Sequence, residues 1–199
     1  KIVVAFGLLL MSAGFTVVVF TPLNGAYWTW IVGGMTLMAS GLAFTTGPAT
    51  EAIMGALPRA KAGAGSAVND TTREVGGTLG VAIVGSVLNS TYGSHVISAL
   101  TGLGAPAAAA HGAGQSVVAG MITAAHFPAS LQGSATQAVQ QAFMTGIHHG
   151  SLVAAGATAA AALVALFLLP SRAASGAGES VSRTDAAVSR IPEVTASKV

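Results

Sequence analysis

Long apolar runs, broken at a few points by clustered polar residues, set the pattern of this chain. The run IVVAFGLLLMSAGFTVVVF over 2–20 carries no charge and ends at the turn-forming Thr21-Pro22-Leu23-Asn24-Gly25. A bilayer core of about 30 Å takes roughly 20 apolar residues in a helix, and the chain offers four uncharged or sparsely charged stretches of that size, at 2–20, 28–57, 63–88 and 147–169. Pro170 stops the last of them. The second opens on Tyr27, Trp28 and Trp30, aromatics that suit an interfacial belt and equally suit plain packing. Lys1 ahead of the first run gives it the look of a signal peptide, but the run is long for one and no small-x-small cleavage site follows. The pattern thus predicts an all-α integral membrane bundle over 1–170, with an outer loop at 89–146 and a disordered cytoplasmic tail at 171–199.

Within the outer loop, Ala, Gly, Ser and Gln predominate and Pro106 and Pro128 act as breakers. The apolar stretch 115–125 is too short to cross a membrane, which predicts a short outer helix. Val139, Ala142, Phe143 and Ile147 recur at helical spacing and predict an amphipathic helix feeding into the last span.

Composition agrees with that class. Of 199 residues, 52% are apolar and 7% charged, and 26 are Gly; a soluble domain carries about 25% charged residues. A nucleic-acid binder or a soluble enzyme is incompatible with so few charges. The net charge of +2 reflects topology rather than an acidic partner, because no basic cluster forms. Apart from Arg73, the Lys and Arg residues are Lys1, Arg59, Lys61, Arg172, Arg183, Arg190 and Lys198, and all fall on one side of the four-span arrangement. From Val75 to Ser171 there is no charge at all. Basic residues stay with the cytoplasmic ends of membrane helices, so both termini are expected to be cytoplasmic in a multi-pass cell-membrane protein. Cysteine is absent, which removes disulfides and thiolate chemistry. A start at Lys1 rather than Met leads to the expectation of a piece of something longer.

Charge inside the apolar runs is confined to the second and third spans. Asp, Glu and Arg at a helix centre cost about 2.5–3.5 kcal/mol each on insertion scales, so deep ones face protein or water. In the second span Gly47-Pro48 loosens or bends the helix, and Glu51 follows within a turn. Partial desolvation would let Glu51 take up and release protons; pairing with Arg59 or Lys61 would make it a plain helix anchor. In the third span Asn69, Asp70, Arg73 and Glu74 share much of one face, with Asp70 and Arg73 at i,i+3. They read either as a snorkelling Arg with its neutralising Asp or as a charge network that breaks and re-forms as the protein changes shape. Gly76, Gly77 and Gly80 follow, and the 76/80 pair is a small-xxx-small packing signal.

Other signals are weak. His95, His111, His126, His148 and His149 match no zinc spacing, and Asn89-Ser90-Thr91 is a glycosylation triplet of a kind that arises often by chance. Neither GxGxxG, a P-loop, GxSxG nor HExxH occurs, so no catalytic residue, cofactor or metal is expected.

The run PRAKAGAGSAVNDTTREVGGTLGVA at 58–82, followed by Gly85-Ser86, closely resembles the penultimate-helix region of the fourteen-span drug:proton antiporters, the EmrB/QacA-like branch of the major facilitator superfamily. The preceding GLAF at 41–44 and GPATE at 47–51 are similar to the helix before it. The resemblance implies the last four helices of such a transporter, partnered by a missing N-terminal half and exporting small lipophilic or cationic compounds in exchange for protons. It places Gly47, Pro48 and Glu51 on a cavity-lining helix. Asn69, Arg73, Gly76, Gly77 and Gly80 would then lie on a helix at the interface between halves. The alternative is a stand-alone four-helix membrane protein, a homo-oligomeric channel or structural subunit, which would bury Arg73 and Glu74 against its own copies.

Overall fold

A computed structural model describes residues 1–22, 28–55 and 57–168. All regular structure among them is helical: α1 (Ile2–Val19), a π-helical turn (Trp28–Val32) running into α2 (Gly33–Gly55), a 3-10 turn (Arg59–Lys61), α3 (Ala62–Gly102), α4 (Ala107–Ala113), α5 (Val117–Ala125) and α6 (Ala129–Leu168). The predicted all-α class is therefore observed. Tyr27 and the tail at 171–199, for which disorder is expected, lie outside the described residues.

Among the described residues two helices, α1 and α6, are long and apolar enough to cross a membrane by length and composition, where the sequence pattern predicts four. The other two are diluted. α2 carries Gly, Thr and Ser along its length together with Glu51, and the first half of α3 holds Asn69, Asp70, Thr71, Thr72, Arg73 and Glu74.

The loop expected over 89–146 is largely helical. α3 has 41 residues and α6 has 40, which at 1.5 Å per residue makes each about 60 Å long, roughly twice a bilayer core. The sequence pattern ends the third span at 88 because apolar character fades there, but nothing breaks the helix until Gly104. That glycine, at φ 93, ends α3 in a Schellman turn: Gly104 N–H donates to Thr101 O at 3.0 Å and Ala105 N–H to Leu100 O at 2.9 Å. Likewise the predicted amphipathic helix and the last span are one continuous α6. The short outer helix expected within 115–125 is α5, with Ser116 Oγ capping it by accepting from Ala119 N–H at 3.1 Å.

The extra lengths of α3 and α6 join α4 and α5 in a capping layer with its own core of Tyr92, Val96, Leu100, Ala110, Ala113, Ala124, Ala135 and Val139. Below it the long helices lie in the spatial order α2, α1, α6, α3. Glycines set the close approaches. Gly7 and Gly14 of α1 lie against Gly41 and Gly34 of α2, and Gly146 and Gly150 of α6 lie against Leu88 and Val84 of α3. Phe6 and Phe44 meet edge to face at 5.9 Å beside the first pair. Ser12 Oγ–H donates to Ala155 O at 2.9 Å and pins α1 to α6. The two end members, α2 and α3, meet near the Met54, Leu57 and Gly65 corner.

Candidate functional site

The residues singled out by sequence fall on α2 and the first half of α3. Pro48 lies inside α2 and has no N–H for the carbonyl of Phe44 one turn back. Thr45 and Thr46 turn their hydroxyls onto their own helix, donating to Gly41 O at 2.8 Å and Leu42 O at 3.0 Å. Glu51 follows on the exposed side.

Between α2 and α3 are two grooves. One, of about 500 Å³, is lined by Thr46, Gly47, Thr50, Glu51 and Met54 from α2 and by Arg73 from α3. The other, of about 680 Å³, is almost wholly apolar and is lined by Ala49, Ala52, Ile53, Leu57, Ala64, Gly65 and Val68, with Lys61 among them. Lys61, one of the two anchors considered for Glu51, therefore lines the second groove and Glu51 the first. The side chain of Arg59, the other anchor, lies outside the described residues.

Arg73 borders two further depressions. Together with Glu74, Gly77, Thr78, Val81 and Ala82 it lines one of about 500 Å³, and with Asp70 and Glu74 a polar notch of about 370 Å³. Asp70, Arg73 and Glu74 are exposed, and Asn69 is half-buried. Among the described residues no carboxylate comes within 4.0 Å of a Lys or Arg nitrogen, so the Asp70–Arg73 pair suggested by i,i+3 spacing stands open. The structure instead brings Glu51 and Arg73, from different helices, to one groove.

Gly76, Gly77 and Gly80 were expected at a packed contact. A Cβ added to any of the three meets nothing within 4 Å, so this face of α3 is bare among the described residues. The glycines at which long helices approach one another include Gly7, Gly14, Gly34, Gly41, Gly146 and Gly150. Their signal was present in the sequence as Gly7/Gly14 and Gly34/Gly41, each pair seven residues apart. That spacing keeps both members of a pair on one seam of two packed helices.

The histidines separate on inspection. His148 Nε2–H donates to Thr21 O at 3.0 Å, holding the C-terminal end of α1 against α6. His95, His126 and His149 bond through Nδ1 to carbonyls one turn back on their own helices. Among the described residues no three His, Asp or Glu side chains gather where a metal would need them. Tyr92 was not legible as a structural residue: its buried hydroxyl donates to Ala113 O at 3.0 Å and Ser116 O at 3.1 Å, tying the α4–α5 link to α3. Burial raises its phenol pKa above the ordinary range.

No protein-family model, curated protein or solved structure matches the chain.

Proposed function

We propose that this chain is the C-terminal part of a proton-coupled exporter of small lipophilic or cationic compounds, of the major facilitator type, working by alternating access in the cell membrane with both termini cytoplasmic. Support comes from the residues of 41–51 and 58–86 that carry the family resemblance and from one structural observation. The polar, glycine-rich face of α3, from Asp70 through Arg73, Glu74, Gly76 and Gly77 to Gly80, is exposed throughout, while α1 and α6 are packed on their neighbours. A helix that carries charges and small residues on an uncovered face lacks its partner, since lipid offers neither counter-charge nor a complementary backbone. The missing N-terminal half supplies that partner in this reading, and the α2–α3 grooves face the cavity between halves.

Substrate and protons then act on the same equilibrium. Two halves rock about a midplane site, and protonation of an acid such as Glu51 shifts the population between inward and outward states. The test is pH-driven efflux of a fluorescent lipophilic cation by the whole reading frame that contains this chain. Wild type is expected to clear the dye, and Glu51→Gln to slow clearance at unchanged expression. Unchanged efflux in the variant overturns the role of Glu51. A reading frame that opens immediately before Lys1 overturns the exporter and favours the four-helix oligomer, whose own copies would cover α3.

A further inference from the structure

Glu51 and Arg73 line one groove from opposite helices. The other charged groups around Glu51 can be named among the described side chains, to which that of Arg59 does not belong. α1, on the far side of α2, has no ionisable side chain from Ile2 to Val19. Lys61 lines the other groove. Asp70 and Glu74 stand behind Arg73 in the notch on α3. Among the described side chains Glu51 therefore shares its groove with a single oppositely charged group, whereas Arg73 lines depressions with three carboxylates. Thr46, one of the two threonines lining the groove with it, already donates its proton to Leu42 O at 3.0 Å.

An isolated carboxylate and an isolated guanidinium are each costly inside a membrane, and such residues pair with one another. Asp70, at i−3, is within reach of Arg73 along α3, and Glu74, at i+1, lines the same notch. A guanidinium presents five donors in a planar fork and can serve two carboxylates, which a Lys ammonium does less well. We infer that Arg73 is the interhelical counter-ion of Glu51. The pair draws α2 and α3 together when Glu51 is ionised and releases them when Glu51 takes a proton, leaving Arg73 to Asp70. This deepens the transport reading and rests on it for the link between protonation and groove opening; the pairing itself requires only that both helices lie in a bilayer.

The chain contains no cysteine, so an introduced pair can report the gap between helices. Ile53→Cys and Val68→Cys lie across the apolar groove from one another, clear of the charged one. In the full protein in native membranes, with any other cysteines replaced, a bifunctional thiol reagent should link them quickly while Glu51 is ionised. Linking should slow as the medium is acidified. Glu51→Gln and Arg73→Gln should each abolish that pH dependence, the double variant should be no slower than either single one, and Asp70→Asn should retain it. The exchange Glu51→Arg with Arg73→Glu should restore fast linking. A pH dependence that survives in Arg73→Gln, or vanishes in Asp70→Asn, overturns the pairing, as does a rate indifferent to pH in the parent. Loss of dye efflux with an intact linking profile would count against the exporter and leave the pair standing.

Discussion

Gly7 and Gly41 face one another across the α1–α2 hairpin so closely that a Cβ built on Gly41 falls 2.5 Å from Gly7 O and 2.6 Å from Met11 N. One heptad further along, Gly14 meets Gly34 in the same antiparallel register, where a Cβ on Gly14 falls 2.9 Å from Gly34 O. What crowds each site is backbone, which cannot swing aside. Small residues at a helix seam let main chains approach, gaining dispersion and weak Cα–H···O contacts that no larger side chain permits.

Replacement of Gly41 by Val should pry the hairpin apart. Overpacking of this kind costs about 1–3 kcal/mol, and the rigidity of the neighbours puts the expectation toward the upper end. Gly33→Ala is the control, because a Cβ there meets nothing within 4 Å. Thermal unfolding in detergent should show a lower midpoint for Gly41→Val and one near wild type for Gly33→Ala.

The capping layer hangs on Tyr92. Phe at this position keeps the ring and its edge-to-face contact with Phe143 at 6.5 Å but loses both hydroxyl bonds. Leaving the buried Ala113 carbonyl short of a donor costs about 1–3 kcal/mol, so limited proteolysis should cut the α4–α5 link of Tyr92→Phe faster than that of wild type.

Alkali should act through the same group. Burial raises the Tyr92 phenol in the folded chain, so its contribution to stability is fully present below the unfolded value and is lost as pH rises through the folded one. Stability of the cap is therefore expected to hold level through neutral pH and fall beyond about pH 10. Tyr92→Phe should remove this residue's share of that alkaline fall in an unfolding titration.

Two polar bonds clasp α1 to α6. Ser12→Ala removes the bond to Ala155 O, and interhelical bonds of this type average about 0.6 kcal/mol in membranes. His148→Leu removes the bond to Thr21 O and should loosen the end of α1 where Pro22 already halts the helix. Hydrogen exchange should rise around 17–21 in His148→Leu and change little there in Ser12→Ala.

The bare face of α3 makes a contrasting case. Gly76→Leu and Gly80→Leu meet open space among the described residues, so the folding of this helical region should be indifferent to both. On the exporter reading proposed above, the same changes in the full protein should lower efflux and weaken co-purification of separately expressed halves. Normal association would remove α3 from the interface.

Helical class, the apolar extents of α1 and α6 and the short outer α5 were legible because each is a local matter of periodicity, composition and breakers. The pairing of Gly7 with Gly41 was half legible, in its seven-residue spacing. The continuity of α3 past Leu88 was not, since fading hydropathy marks where a membrane would end and says nothing about where a helix must. Nor was the choice among glycines. Gly76 and Gly80 carry the better-known spacing, yet a Cβ there meets nothing among the described residues, while Gly146 and Gly150, with the same spacing, pack on α3.

By itself the sequence determined composition, charge placement and helix-forming segments, all properties of residues and their near neighbours. Only the tertiary structure decided which helices adjoin, that Glu51 shares a groove with Arg73 while Lys61 lines the other, and that Tyr92 and His148 hold distant backbone. These depend on interhelical register and rotation, which arise from side chains meeting across long sequence separations. No local pattern encodes them.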